Sequence, residues 1–234
     1  MSLHKIIKKY MNSFDSKAII FDLDGTLIDS AEGIRQSIKN SFNNLNIDLE
    51  IDLNDLTIGP PLNETLLQCN KNITQTQLIE LRSFFMNDYD KDGCKKVLPF
   101  EGVYLLIKTL YKKNINLFIA TNKRQIPTLK ILDYLDWTKF FKAIYCIDSF
   151  ILKETNKSCL LELLINKENL KNSSSIYIGD KLADYKAACD NNLFFIGADF
   201  TENDLRSNNK NNFRIVNNLQ EKTIMEILDC FLEL

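Results

Sequence analysis

Histidine is nearly missing from this chain of 234 residues, which has one, His4. That scarcity excludes a Ser-His-Asp hydrolase, a cysteine nucleophile with an imidazole partner and a histidine-rich zinc site, because His4 sits in a terminal segment with little to hold it. Paired cysteines are missing too. The six cysteines, Cys69, Cys94, Cys146, Cys159, Cys189 and Cys230, are scattered and none forms a CxxC pair. They read as buried free thiols in a reducing cytoplasm. No apolar run is long enough to span a bilayer, and no signal-peptide pattern opens the chain. Excess charge of one sign is also absent: the formal net charge is −2. No general basic field attracts nucleic acid or an anionic membrane. The chemistry left to the chain must run on carboxylates, lysines and hydroxyls, with or without a metal.

The rest of the composition is that of an ordinary globular protein, 45% hydrophobic and 26% charged. The length suits one large domain, or a domain carrying an insertion. Residues 1–14 mix Lys5, Lys8 and Lys9 with Leu3, Ile6, Ile7, Tyr10 and Met11. They read as a leading helix packed on the domain or a frayed terminus, in preference to a membrane-surface helix.

Five short, nearly continuous apolar runs predict buried strands at 17–21, 116–120, 143–147, 175–178 and 193–196. Such runs favour a parallel sheet covered on both faces. A sixth run, 213–216, suits an edge strand. Helical patterns lie between them at 103–113, 127–135, 158–165 and 182–190, the second opening on Pro127, which suits a first helical turn. Strands alternating with helices predict right-handed βαβ units and a doubly wound, Rossmann-like α/β sheet. Residues 30–98 break the alternation. One helical face is marked by Ile34, Ile38, Phe42 and Leu45, another by Leu78, Leu81, Phe84 and Phe85, with Gly59-Pro60-Pro61 between them. A single crossover does not need so much chain. The expected organisation is a core of 1–29 and 99–234 with a helical cap inserted at 30–98. The asparagine pairs 43–44, 208–209 and 211–212 read as loops.

Four polar signals follow predicted strands or stand beside them. Asp22-Leu23-Asp24-Gly25-Thr26 ends the first apolar run. Residues i and i+2 of an extended chain point the same way, so both carboxylates can face one ligand, and Gly25 lets the backbone turn sharply. Asp24-Gly25-Thr26 alone is equally an ordinary turn. Asp22 is harder to dismiss, since a carboxylate ending an apolar strand is costly to bury unpaired. Thr121-Asn122 follows the second strand, where a helix cap is the plain alternative. Gly179-Asp180, with Asp184, follows the fourth; there Asp180 reads otherwise as an N-cap, and Asp184 as a first-turn acid. Lys157 opens a helix, where a cation opposes the macrodipole unless an anionic site lies nearby. Ligands of an open parallel sheet bind at the carboxyl ends of its strands, so these signals converge on one rim. Carboxylates about 4 Å apart repel by roughly 1 to 4 kcal/mol, a repulsion that a hard divalent cation relieves.

The sequence Phe21-Asp22-Leu23-Asp24-Gly25-Thr26-Leu27, then Thr121, Lys157, and Gly179-Asp180 with Asp184, resembles the haloacid dehalogenase superfamily. The likeness is to its phosphatases of the phosphoglycolate-phosphatase-like branch. It runs from Lys17 onward, and 58–62 and 100–103 are similar to that branch's cap and cap-exit segments. The third motif lacks the Lys-Pro of many relatives, which leaves Lys153 as an alternative to Lys157; distance to Gly179 favours Lys157.

The resemblance implies a cytoplasmic, Mg²⁺-dependent phosphatase acting on a small phosphate monoester, such as phosphoglycolate or a nucleotide or sugar phosphate, through an aspartyl-phosphate. It implies Asp22 as nucleophile, Asp24 as proton shuttle, and Thr121 and Lys157 as catalytic supports. Gly25, Thr121, Asn122 and Lys157 would bind substrate. Asp22, Asp24 through its carbonyl, and Asp180 would hold the metal, with Asp184 orienting Asp180 or a metal-bound water. Asp24 argues against dehalogenation, because a halide leaves without a proton. The alternatives are a phosphomutase resembling beta-phosphoglucomutase, or a non-catalytic binding protein on the same scaffold. Neither nucleic acid nor membrane is an expected partner, and the protein would be a monomer or homodimer.

Overall fold

The computed structural model describes residues 17–150, 156–198, 200, 205 and 214–216. Residues 1–14, Lys153, the asparagine pairs beyond 207 and Cys230 lie outside the described residues. The described chain divides into two compact units. One comprises residues up to Asp29, Pro99–Gln125 and the chain from Asp136 onward; the other comprises Ser30–Leu98 and Ile126–Leu135. The segment 126–135 thus groups with the residues expected to form the insertion.

The first unit is built on a parallel sheet of six strands. They are β1 (Ala18–Phe21), β4 (Asn116–Thr121), β5 (Ala143–Cys146), β6 (Ser175–Gly179), β7 (Phe194–Ala198) and β8 (Arg214–Val216), in the order β5-β4-β1-β6-β7-β8. Two-residue strands, β2 (Ile28–Asp29) and β3 (Leu98–Pro99), form a separate sheet. β1 lies at the centre, with Ile20 level with Phe118 on one side and Tyr177 on the other. All four of its residues are buried, which is why its sequence does not alternate with polar residues.

One sheet face, with Ile20, Phe118, Tyr177 and Phe195, joins a core with Leu160, Leu161 and Leu164 of α6 (Lys157–Lys167) and Ala187 and Ala188 of α7 (Leu182–Asp190). The opposite-facing Ile19, Ile119, Ile176 and Ile178 are fully buried as well, so both faces are covered. Helix α4 (Val103–Lys112) buries Val103, Leu106, Ile107 and Leu110, whereas Tyr111, apolar in the same sequence pattern, is exposed. Among the described cysteines, Cys69, Cys94 and Cys146 are buried free thiols, Cys159 is half-buried and Cys189 is exposed.

The second unit is helical: α1 (Ala31–Asn44), α2 (Leu62–Cys69), α3 (Gln75–Lys91) and α5 (Gln125–Tyr134), the last from Ile126 onward. Helix α3 opens on a capping box in which Thr74 Oγ1 accepts the Gln77 N–H and Gln77 Oε1 accepts the Thr74 N–H. The buried stripe of α1 departs from expectation. It runs through Gly33, Ser37, Ile38, Ser41 and Phe42, while Ile34 and Leu45 are only half-buried. Small residues explain the shift: a Cβ on Gly33 would lie 2.2 Å from the Gly93 carbonyl oxygen, so the backbones approach too closely for a large side chain. Phe84 of α3 is likewise 37% exposed.

Candidate active site

The loop after β1 is tied at both ends. The Asp22 N–H continues the ladder to the Ile178 carbonyl at 2.8 Å, and the Leu27 and Ile28 N–H groups fold back onto the Leu23 carbonyl at 2.9 and 3.1 Å. Gly25 donates to the Ile28 carbonyl at 2.9 Å. Leu23 and Leu27 are fully buried and anchor the turn from inside, which leaves Asp22 and Asp24 on the other side of the strand end. Gly25 has φ +81°, and a Cβ there would fall 2.2 Å from Asp180 Oδ2. Glycine is therefore demanded twice, by the left-handed backbone and by the approach of Asp180.

Asp180 leaves the end of β6 and is 3% exposed. The Thr26 hydroxyl donates to its Oδ1 at 3.5 Å. Asp180 does not cap α7: Lys181 occupies that position, and Asp184 Oδ2 accepts the Lys181 N–H at 3.0 Å. Asp184 Oδ1 accepts the Tyr177 hydroxyl at 2.8 Å and lies 3.3 Å from Lys157 Nζ. Both Asp184 oxygens are thus held by donors of the chain itself, which suits an orienting role better than direct ligation. Gly179 makes room for it, since a Cβ there would sit 2.6 Å from Asp184 Cβ.

Lys157 is 6% exposed at the start of α6, whose N-cap Asn156 accepts the Cys159 N–H at 2.9 Å. Its ammonium reaches Asp22 Oδ1 at 2.7 Å and the Ala120 carbonyl at 3.0 Å, besides Asp184. A cation at a helix N-terminus is explained by these acceptors. Thr121, at the end of β4, is buried, and its Oγ1 accepts the Lys123 N–H at 3.1 Å; Asn122 beside it is exposed. Neither caps α5, whose first N–H, at Gln125, goes to Asp148 Oδ1 at 2.8 Å.

Asp22, Asp180 and Asp184 each offer a carboxylate oxygen within 4.8 Å of the others. The Asp24 carboxylate is not in that cluster; it pairs with Lys123. One buried ammonium against three buried carboxylates leaves the pocket short of positive charge. Burial, then the neighbouring Asp22 and Asp184, push Asp180 up to about 8. Burial raises Asp22 to about 6 despite Lys157, with Asp184 and Asp24 adding to the rise. Burial alone would lower Lys157, but Asp22 and Asp184 outweigh it and keep the ammonium charged. An all-oxygen donor set with unrelieved negative charge fits a hard divalent cation.

Lys123, Tyr177 and the Thr26 hydroxyl carry contacts that the sequence did not announce. Lys123 stands two residues past Thr121, the one hint available. Tyr177 sits in an apolar strand run and reads as core.

A parallel sheet with an aspartate ending its central strand, and a lysine and further aspartates converging on that rim, defines a carboxylate centre at the carboxyl edge of the sheet. Residues 19–198 match the sequence model of the haloacid dehalogenase-like hydrolases, and the chain belongs to that family. A 5'-nucleotidase of Pseudomonas aeruginosa is 30% identical over 194 residues, covering 81% of this chain and 86% of that protein. A phosphoglycolate phosphatase of Agrobacterium fabrum is 27% identical over 197 residues, covering 81% and 83%. The crystal structure of a predicted phosphatase from Clostridium acetobutylicum superposes with a TM-score of 0.75 at 28% identity, covering 92% of this chain and 99% of that one. Among the described residues no helix is long and apolar enough to cross a membrane.

Proposed function

We propose that the protein is a phosphatase that hydrolyses small phosphate monoesters through a phosphorylated Asp22. The observation that carries this reading is the cluster of Asp22, Asp180 and Asp184 within 4.8 Å, with the Lys157 ammonium 2.7 Å from Asp22. Asp22 and Asp180, with the Asp24 carbonyl, would hold Mg²⁺, which when bound neutralises charge on Asp22 and on the transferring phosphoryl group.

Asp22 attacks phosphorus; its oxygen forms the new P–O bond as the ester P–O bond breaks. Asp24 hands a proton to the departing alkoxide, then takes one from the water that hydrolyses the aspartyl-phosphate. Lys157 orients Asp22 and balances the phosphoryl charge, while the Thr121 hydroxyl and the Asn122 N–H receive phosphoryl oxygens. Asp184, fixed by Tyr177 and Lys181, holds Lys157 and would orient Asp180. Choice of the leaving group is assigned to residues 30–98, with the side chains near 59–64 and Arg35 as the candidates. The named activities of the two relatives support small phosphate esters as the substrate class.

The test is a screen of phosphate release, with Mg²⁺ and with chelator, across phosphoglycolate, nucleoside monophosphates, sugar phosphates and pyrophosphate. Release should require Mg²⁺ and vanish in Asp22→Asn without loss of fold. Robust release by that variant would overturn the reading, and an isomerised sugar phosphate in place of free phosphate would make the protein a mutase.

A further inference from the structure

Lys123 Nζ lies 3.0 Å from Asp24 Oδ1 and 3.1 Å from Oδ2. The lysine side chain is 8% exposed and that of Asp24 32%. This is not a solvated surface pair of neighbouring helix positions. The partners are 99 residues apart in sequence and meet at the sheet's carboxyl rim. A covered ammonium that contacts both oxygens of one carboxylate removes that carboxylate's freedom to rotate. The backbone N–H of the same residue donates to Thr121 Oγ1 at 3.1 Å. A hydroxyl that accepts this bond must aim its own O–H elsewhere. One residue therefore sets two groups at the rim, through its side chain and its main chain separately.

We propose that Lys123 is a positioning residue that fixes the Asp24 carboxyl group for proton transfer at the leaving oxygen. The proposal rests on the reading of Asp24 as the proton shuttle. As the ester P–O bond breaks, its electron pair stays on the leaving oxygen, which takes the proton from Asp24; the hydrolytic water later returns a proton to Asp24. Misplacement of a reacting group by about 1 Å costs on the order of 100-fold in rate. Loss of the Lys123 side chain should therefore harm esters whose leaving group needs a proton, and spare esters whose leaving group does not. The backbone bond to Thr121 survives any side-chain change, so phosphoryl binding should persist.

The experiment compares kcat/KM for the native protein, Lys123→Met, Lys123→Arg and Asp24→Asn with Mg²⁺. One substrate is p-nitrophenyl phosphate, whose phenolate leaves unprotonated. The other is whichever of phosphoglycolate, glycerol phosphate and glucose 6-phosphate is turned over fastest. Lys123→Met should lose about 100-fold in kcat/KM on the alkyl ester, through kcat, and only a few-fold in kcat/KM on the aryl ester. Lys123→Arg, which keeps the charge, should recover part of the loss. Equal losses on both esters would overturn the proposal, as a purely structural role predicts. So would a raised KM with kcat intact, which would make Lys123 a substrate contact. Asp24→Asn separates the two ideas. If it too loses equally on both esters, the shuttle reading of Asp24 falls; if it is selective and Lys123→Met is not, only the role of Lys123 falls.

Discussion

Lys157 spends its ammonium on three acceptors: Asp22 at 2.7 Å, the Ala120 carbonyl at 3.0 Å and Asp184 at 3.3 Å. Removing one partner of a buried ion pair leaves the other charge uncompensated, at a cost of about 3–5 kcal/mol. Lys157→Met should lose stability of that order in urea titrations at neutral pH, and lose turnover. The stability loss should shrink in acid, because Asp22, raised to about 6, then takes up a proton and no longer needs the cation. A loss independent of pH would mean that the lysine acts through packing alone. Tyr177→Phe is the subtler test. It strips one donor from buried Asp184 and should cost about 1–3 kcal/mol, with weaker Mg²⁺ binding in calorimetry. The meeting of Asp22 and Asp180 at one rim was legible in the sequence, because acids ending apolar runs are conspicuous. Lys123 is one of 29 basic residues, and Tyr177 is one aromatic in an apolar strand, so neither carries a local signal.

At the scale of elements, the loop from Asp22 to Ile28 is shaped by Gly25. Gly25→Ala would force a side chain into left-handed backbone, worth about 1–2 kcal/mol, and drive its Cβ toward Asp180. A destabilised protein with sharply reduced Mg²⁺ affinity is expected; unchanged Mg²⁺ binding would mean that the loop tolerates the clash. Strands β1 and β4 to β7 were legible to within two residues, because each is an apolar run at least half-buried along its length, and 213–216 contains the edge strand β8. The two-residue β2 and β3 were not, since so short a pairing leaves no periodic signature. On α1 the expected Ile38 and Phe42 are buried, while Ile34 and Leu45 are only half-buried. Hydrophobic periodicity selects Ile34 and Leu45, whereas close helix approach selects Gly33, Ser37 and Ser41 by size. Pattern reveals what is apolar and is blind to what must be small.

At the scale of the whole molecule, the acidic cluster makes stability depend on pH and metal together. Asp180 moves from 3.8 to about 8 on folding, and Asp22 from 3.8 to about 6. The folded state therefore favours their protonated forms. Their contribution is most favourable below about pH 4 and is lost as pH rises through about 6 and then about 8. A bound divalent cation reverses the balance by stabilising the ionised carboxylates. Melting temperatures with chelator and with Mg²⁺ should diverge as pH rises, and Asp180→Asn should remove most of the divergence. A Mg²⁺ effect that is flat across this range would disconnect the metal from these acids. The proposed chemistry turns on one covalent bond, between Asp22 and phosphorus. It is tested most directly by mixing Asp24→Asn with p-nitrophenyl phosphate and Mg²⁺, denaturing, reducing with borohydride and mapping peptides by mass spectrometry. That variant lacks the base for hydrolysis while its substrate needs no acid, so the intermediate should accumulate. Borohydride converts an acyl phosphate to an alcohol, and the account predicts homoserine at Asp22. Nitrophenolate release with homoserine elsewhere, or nowhere, would contradict it.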